Sequence, residues 1–251
     1  MRARESFSSS TVHLRDMSLA LETELRAAAR RVGLLNRNRK TQVDRGEGYE
    51  AAVSTALLEA VAPGDTVWDV GANVGTYTAL LADAVGPEGR VIAFEPVDGP
   101  FARLREKAER LPNVRTVKTA LGDEDGSTEF HLSSDPEGGT HSVFSGPDSL
   151  TTVTVPVSTG DSLRRSLDLP SPQVLKIDVE GFELEVLRGL DECLRETACR
   201  AIFVEVHFRT LDRTRRRQNP FRIVRLLRGY GFRIEWFDWS HCAAYRRAAP
   251  I

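Results

Sequence analysis

Apolar positions along the chain follow two different periods. They recur every three or four residues, with Arg and Glu between them, in Arg15–Leu35, and a second helical pattern covers Tyr49–Val61. From Thr66 onward, short apolar and β-branched runs alternate with further helical segments. The runs that predict buried strands are Thr66–Val70, Val91–Phe94, Val114–Lys118, Val174–Ile177 and Ala201–Val206. This alternation predicts an α/β fold in which helices cover both faces of a parallel sheet.

Turn residues bound the helices that lie between and after these strands. We predict helices over Thr76–Val85, Phe101–Arg110, Phe182–Leu190 and Pro220–Arg228. Between the third and fourth strands the pattern changes to short alternating runs, which predicts two or three edge strands. They include Thr128–Leu132 and Thr151–Val157, with a loop around Ser133–Ser149. Phe232–Trp236 and Ala243–Tyr245 are expected to be the closing strands.

Composition places the chain among ordinary globular proteins. Its 251 residues are 41% hydrophobic and 28% charged, which excludes a disordered or fibrous chain. No stretch approaches the roughly 18 uninterrupted apolar residues of a membrane span, and the Arg- and Ser-rich start does not resemble a secretory signal. Three cysteines without a CxxC pair argue against a disulfide framework and a zinc site. We therefore expect a cytoplasmic protein.

The formal net charge of −2 conceals a segregation of charge along the chain. Basic residues outnumber acidic residues in 1–45 and in 209–251, whereas acidic residues dominate 46–208. A dedicated nucleic-acid binder is usually basic throughout its domain, so we do not expect nucleic acid as a partner. We predict two parts, a basic helical appendage over 1–45 and a catalytic domain over 46–251. The apolar stripe of the appendage needs a covering surface, so it either covers the substrate entrance or forms a homodimer.

A glycine-rich turn carries the first candidate chemistry. Gly71-Ala72-Asn73-Val74-Gly75 follows the first strand of the α/β pattern and opens a helix, a context in which backbone can approach a ligand closely. The spacing is G-x-N-x-G rather than the dinucleotide pattern G-x-G-x-x-G. Asp69, two residues before the turn, would repel a phosphate and suits a cationic or hydroxyl-bearing ligand. Glu95 lies 20 residues beyond Gly75, at the end of the next strand, where a carboxylate can accept hydrogen bonds from both hydroxyls of a ribose.

A second group of candidates follows two later strands. Lys176 and Asp178 share one side of the Val174–Ile177 strand and its end, with Glu180 just beyond. Glu205 and His207 share a face at the end of the next strand. Charges at the end of a buried strand are costly unless they are paired, so their presence favours a function. The alternative is an ion pair of Lys176 with Glu180 or Glu183 that ties strand to helix.

Several motifs together resemble the FkbM family of S-adenosylmethionine-dependent methyltransferases. They are Asp69–Gly75, Phe94-Glu95-Pro96, Ala120-Leu121-Gly122-Asp123, Lys176-Ile177-Asp178-Val179-Glu180-Gly181 and Glu205-Val206-His207. The resemblance covers roughly residues 46–245. It implies a Rossmann-like, doubly wound sheet of seven mostly parallel strands whose last strand is antiparallel. It also implies methyl transfer, usually to a hydroxyl of a sugar, polyketide or other secondary metabolite.

The resemblance implies a role for each matching residue. Gly71, Ala72, Asn73 and Gly75 would surround the methionine part of S-adenosylmethionine, with Asp69 near its amino group and Thr76 and Tyr77 near its carboxylate. Glu95, with Pro96, would bind the ribose, and Ala120 and Leu121 would border the adenine. Asp178 would lie beside the methyl group, with Lys176, Glu205 and His207 completing the catalytic group.

Two mechanisms for removing the acceptor's proton remain open at this point. In the first, which we favour, His207 or Asp178 is a general base without a metal. In the second, Asp178 and Glu205 bind Mg²⁺, which lowers the pKa of the hydroxyl. The competing functions are methylation of RNA or protein, and a catalytically silent binding subunit that keeps the cofactor fold.

Overall fold

The computed structural model describes residues 46–133, 149–213, 216 and 218–246. The predicted appendage over residues 1–45, including the Arg15–Leu35 helix, lies outside the described residues, as does most of the predicted loop around Ser133–Ser149. Residues 52–251 form one compact unit, and all of the candidate site residues belong to it.

Ten strands and eight helices make up the described residues. The strands are β1 Thr66–Val70, β2 Arg90–Phe94, β3 Val114–Val117, β4 Ala120–Leu121, β5 Gly126–Ser133, β6 Ser149–Ser158, β7 Val174–Ile177, β8 Ala201–Glu205, β9 Phe232–Trp236 and β10 His241–Arg246. The helices are α1 Gly46–Ala60, α2 Thr76–Val85, α3 Asp98–Ala108, α4 Gly160–Ser166, α5 Glu183–Arg188, α6 Asp191–Arg195, α7 Phe208–Arg213 and α8 Asn219–Gly229.

Seven of these strands form one sheet in the order β3-β2-β1-β7-β8-β10-β9. The pairs from β3 to β8 are all parallel, whereas β10 lies antiparallel between β8 and β9. The last strand of the chain is therefore the antiparallel one, which confirms the fold class implied by the resemblance. The strand order reverses at β1, because β2 and β7 lie on its two sides. Ligands of doubly wound sheets bind at such a point, outside the carboxyl ends of the strands.

Alternation along the strands divides the apolar core between the two faces of the sheet. On one face the buried side chains include Trp68, Ile92, Leu175 and Ile202, together with Leu184 and Leu187 of α5. On the other face they include Val67, Val91, Val174 and Phe203, together with Leu81 and Val85 of α2. Neighbouring residues thus point to opposite faces, and both faces are covered. The near-continuous apolar runs of the sequence are explained by this double burial.

The predicted edge strands do not extend the main sheet. β4, β5 and β6 form a separate three-stranded sheet in the order β4-β6-β5. Its apolar side chains Phe130, Val155 and Val157 contact one another together with Val97 and Ala120, next to the end of β2. The alternating pattern that predicted half-buried strands is correct, but their apolar face is buried in a small cluster of its own.

The remaining differences concern short helices. The predicted helix Phe182–Leu190 corresponds to the shorter α5 alone, and the sequence pattern missed α4, α6 and α7. Helices of five to seven residues are too short to display a 3.6-residue period. Among the described residues, no helix combines the length and the apolar character that a membrane span requires.

Candidate active site

The glycine-rich turn between β1 and α2 is held between the ends of two neighbouring strands. The N–H groups of Gly71 and Ala72 both donate to the carbonyl oxygen of Phe94, at 3.1 and 3.0 Å. Gly71 has φ +79°, and a Cβ at this position would lie 1.9 Å from the carbonyl oxygen of Asp178. Only glycine therefore permits this close approach of the turn to the end of β7. These contacts fix the position of the turn backbone relative to both Glu95 and Asp178.

Glu95, directly after β2, joins the turn to the segment that precedes α3. Its side chain is 6% exposed, and its two oxygens accept from the N–H groups of Asn73, at 3.0 Å, and Val97, at 2.9 Å. Burial raises the pKa of Glu95 to about 7, although the two N–H donors oppose that shift. Each carboxylate oxygen retains a further lone pair that can accept a hydrogen bond from a ligand.

A pocket opens in front of these residues at the carboxyl ends of β1, β2 and β7. One part of its wall is polar, with Asn73, Glu95, Asp178 and Glu180, and the other part is mainly apolar. The apolar and backbone part is formed by Val70, Gly71, Phe94, Pro96, Pro100, Thr119, Ala120, Leu121, Phe130, Val179 and Phe182. The structure thus brings together seven predicted cofactor residues: Gly71, Asn73, Glu95, Pro96, Ala120, Leu121 and Asp178.

The other predicted cofactor residues do not line this pocket. Ala72 is buried within the turn, and the Cβ of any residue replacing Gly75 would lie 2.7 Å from the Leu104 side chain, so Gly75 packs against α3. Thr76 is exposed at the start of α2. Tyr77, the next residue, shares a hydrogen bond with the Ser54 hydroxyl at 2.8 Å. These residues shape the turn and the start of α2 rather than the pocket wall.

Asp69 and Lys176 form a buried ion pair between β1 and β7. The strand register places the two residues side by side, and Lys176 Nζ lies 3.4 Å from Asp69 Oδ1 and 3.6 Å from Asp178 Oδ2. Thr78 donates to Asp69 Oδ2 at 2.6 Å, and the ring of Tyr77 lies 4.9 Å from Nζ. Burial lowers the pKa of Lys176, but the two aspartates raise it above its usual value.

This pairing corrects the alternative interpretation of Lys176. The ammonium group pairs with carboxylates of β1 and of the end of β7, not with Glu180 or Glu183. The partner of Lys176 follows from strand register, which the sequence did not specify. Asp69, at 0% exposure, lies within the sheet rather than in the pocket wall.

His207 lies among four acidic side chains after β8. Its Nδ1 is 2.8 Å from Glu183 Oε1, and its Nε2 is 3.4 Å from Glu180 Oε1, 3.6 Å from Asp178 Oδ1 and 3.7 Å from Glu205 Oε1. Burial lowers the pKa of His207, but hydrogen bonds to Glu180 and Glu183 raise it well above its usual value. A protonated imidazole cannot accept a proton, so this environment does not favour His207 as a simple base.

Glu205 also contacts a second histidine, His241. Its Oε2 lies 3.3 Å from His241 Nε2, while Asp238 Oδ2 lies 2.7 Å from His241 Nδ1. Although burial raises the pKa of Glu205, its hydrogen bond to His241 lowers it overall. One potential ligand atom from each of Asp178, Glu180 and His207 lies within 4.8 Å of the others. These three residues could hold a metal ion, and the predicted pair of Asp178 and Glu205 stays a prediction.

Sequence reasoning missed several residues of the site, three of which contribute aromatic or acidic side chains. Phe130 reaches the pocket from β5, Phe182 follows the Lys176–Gly181 motif, and the fully buried Glu183 contacts His207. Phe182 and Glu183 directly follow that motif, and their position was the available signal. Phe130 gave no signal, because the sequence does not show where the small sheet packs.

A family model and several named methyltransferases match this chain. A family model described as the methyltransferase FkbM domain matches residues 69–234. The hexuronic acid methyltransferase AglP of Haloferax volcanii is 37% identical over 159 residues, which are 63% of this chain and 62% of that protein. The 31-O-demethyl-FK506 methyltransferase FkbM of Streptomyces tacrolimicus is 29% identical, over 68% of this chain and 74% of that protein.

One solved structure, a methyltransferase FkbM from Methylobacillus flagellatus, has a TM-score of 0.49 and 17% identity to this chain. The match covers 72% of this chain and 43% of that one.

Proposed function

The chain belongs to the FkbM methyltransferase family, and we propose that it transfers a methyl group from S-adenosylmethionine to a hydroxyl oxygen of a sugar or other small metabolite. The observation that carries the proposal is Glu95. Its buried carboxylate lies in the pocket wall and is held by the backbone of the glycine-rich turn. S-adenosylmethionine supplies an electrophilic methyl group on a sulfonium ion.

The wall of the pocket suits each part of that cofactor. Glu95 offers two carboxylate oxygens to the ribose hydroxyls, and Asn73 belongs to the turn that would border the methionine part. Phe130 and Phe182 supply aromatic surface for an adenine, next to Ala120 and Leu121. Acidic Asp178 and Glu180 on the remaining side suit the positive charge of the sulfonium better than they would suit a phosphate.

The acceptor is proposed to bind on the side of Asp178. This residue lines the pocket and also faces His207 and Lys176, so it connects the cofactor region to the acidic cluster after β8. The names of the two relatives specify a hexuronic acid and an oxygen of FK506. Both of these molecules carry oxygen-bearing groups. All three cysteines are buried and none of them forms a disulfide, which supports our expectation of a cytoplasmic setting.

Glu95→Ala is expected to weaken binding of S-adenosylmethionine by about ten- to a hundredfold. Removing a buried acceptor of ribose hydrogen bonds costs on the order of 1–3 kcal/mol. Isothermal titration calorimetry of wild type and variant measures the effect, with the exposed Asp83→Asn of α2 as a control that keeps wild-type affinity. An unchanged dissociation constant for Glu95→Ala, or tighter binding of NAD than of S-adenosylmethionine, would contradict the assignment.

Cofactor affinity is also expected to depend on pH near neutrality. With a pKa of about 7, Glu95 is mostly carboxylate at pH 8 and mostly carboxylic acid at pH 6, and only the carboxylate accepts from both hydroxyls. Affinity should therefore fall by about tenfold between pH 8 and pH 6. The nearby Asp69 and Asp178 carboxylates contribute to the raised pKa. Calorimetry across this range should give a flatter profile for Glu95→Gln, and equal slopes for both proteins would refute the role of Glu95.

The raised pKa of Glu95 makes folding stability depend on pH in the opposite direction to cofactor affinity. Because burial raises the pKa of Glu95 above its value of 4.5 in an unfolded chain, protonation favours the folded protein. The contribution of Glu95 to stability is fully present below pH 4.5 and is lost as pH rises through about 7. Binding and stability measurements therefore need to be compared at the same pH.

The acceptor can be identified with labelled S-adenosylmethionine. We propose incubation of the full chain with the labelled cofactor and either free hexuronic acids or a metabolite extract, followed by identification of the labelled product. A methyl ether survives mild alkali whereas a methyl ester does not, so alkaline treatment distinguishes a hydroxyl from a carboxylate acceptor. Label in RNA or protein would favour those acceptors instead. Intact cofactor binding without any labelled product would favour a silent subunit.

A further inference from the structure

Three potential metal ligands meet beside the pocket, where β7 and β8 end. Asp178 and Glu180 follow β7, and His207 follows β8. Glu180 Oε1 and Asp178 Oδ1 lie 3.4 and 3.6 Å from His207 Nε2. One potential ligand atom from each of the three residues lies within 4.8 Å of the other two, so the groups converge. The parallel strands bring these residues together because their carboxyl ends share one edge of the sheet.

Glu183 determines which nitrogen of His207 faces the two carboxylates. This glutamate is 0% exposed, and its Oε1 lies 2.8 Å from His207 Nδ1. Because a carboxylate only accepts, Nδ1 is the donor, and the lone pair of a neutral ring lies on Nε2. Oε2 of Glu183 is buried and has no hydrogen-bond partner among the described residues. A buried carboxylate that accepts a hydrogen bond from a histidine ring is the usual support of a metal-bound imidazole.

The distances from His207 Nε2 to the two carboxylates fit an ion between the three groups. Ligands about 2.1 Å from an octahedral ion lie about 3.0 Å apart when adjacent and about 4.2 Å apart when opposite. The separations of 3.4 and 3.6 Å fall between these limits. Three carboxylates surround Nε2, since Glu205 Oε1 also lies 3.7 Å from it. The arrangement therefore favours positive charge at the centre of the group.

We propose that Asp178, Glu180 and His207 bind a divalent cation of the Mg²⁺ or Mn²⁺ class, and that Glu183 positions His207 for this purpose. Two carboxylates and one imidazole are mostly hard ligands, and Mn²⁺ accepts an imidazole readily. Three protein ligands leave positions for water and for one oxygen of an acceptor. Lys176 contacts the other oxygen of Asp178, so it does not occupy the side of Asp178 that faces the ion.

The role of the ion rests on the proposed function, whereas its existence does not. A hydroxyl bound to the ion beside Asp178 would release its proton more readily, because a divalent cation lowers the pKa of a bound hydroxyl or water. Asp178 lines the cofactor pocket, so the same residue would place that oxygen next to the methyl donor. This inference replaces the metal-free base, His207 or Asp178, that the sequence favoured.

Binding of Mn²⁺ to the full chain tests the site directly. Free Mn²⁺ gives an electron paramagnetic resonance signal that is lost on binding, so a titration counts sites and measures affinity without any turnover. We expect one site in the wild type that Mg²⁺ competes for. Asp178→Asn and Glu180→Gln should each weaken it by at least about tenfold, and Glu183→Gln by about 10–100-fold. Asp83→Asn, on the exposed face of α2, should retain wild-type affinity.

The outcomes separate this inference from the proposed function. Equal Mn²⁺ affinity in the wild type, Glu180→Gln and Glu183→Gln, or absence of a competed site, would overturn the cation site while leaving cofactor binding untouched. A site lost in these variants, in a protein that does not bind S-adenosylmethionine, would support the cation site and overturn the proposed function. Circular dichroism of each variant, recorded before the titration, shows whether the variant is folded, and loss of the site counts only in folded protein. Glu180→Gln is uncharged but has the same shape as glutamate, so we expect this variant to remain folded.

Discussion

Replacing Asp178 by asparagine is expected to lower the turnover of methyl transfer by about 10²–10⁴-fold. The carboxylate lies in the pocket wall, with its two oxygens directed at His207 and Lys176, so it faces the cofactor region and the acidic cluster together. Asparagine has nearly the same shape but lacks the negative charge needed for proton removal or cation binding. The measurement is single-turnover methyl transfer to the acceptor identified with the labelled cofactor.

Two further variants make that result interpretable. Asp83→Asn makes the same chemical change on the exposed part of α2 and should leave turnover unchanged. His207→Ala should lower turnover in the same range as Asp178→Asn, because both residues border the same cluster. If both Asp178→Asn and His207→Ala retain normal turnover, the assignment of the site is wrong. The segment Lys176–Glu180 would then have a structural role alone.

The central strands of the main sheet were predictable because they are short and buried on both faces. Val174–Ile177 has the predicted bounds as β7, and Thr66–Val70 as β1. Each of these strands has buried side chains at every position, which produces the continuous apolar runs in the sequence. The small sheet was less predictable, because alternation shows that a strand is half buried but not which surface covers it. The packing of Phe130 and Val157 against Val97 is a tertiary contact of this kind.

The candidate site shows the same division between local and tertiary information. The location of Glu95 in the pocket agrees with the expectation from its spacing after Gly75, because a helix, a turn and a strand intervene in that order. The partners of the charged side chains could not be predicted from spacing along the sequence. Asp69 is paired with Lys176 through the register of β1 and β7, and Glu183 contacts His207 across more than twenty residues. Which carboxylate meets which cation is therefore decided by packing.

Lys176→Met is expected to lower the free energy of unfolding by about 3–5 kcal/mol. The ammonium group lies between Asp69, which is 0% exposed, and Asp178, and its own side chain is 10% exposed. Removing it leaves the Asp69 carboxylate buried without a compensating cation, which is far costlier than loss of a solvated pair. Urea unfolding of wild type and variant, analysed at constant m-value, measures the difference.

Two controls show whether burial is the cause. Lys118→Met removes a lysine whose ion pair with Asp98 is exposed, and it should change stability by about 1 kcal/mol or less. The double variant Asp69→Asn/Lys176→Met removes both charges while retaining a polar group for Thr78, and it should recover more than half of the loss. A single Lys176→Met variant as stable as Lys118→Met would show that Asp69 tolerates an unpaired charge. In that case Lys176 would be free to serve the pocket, and its burial beside Tyr77 would have to be explained by catalysis rather than by stability.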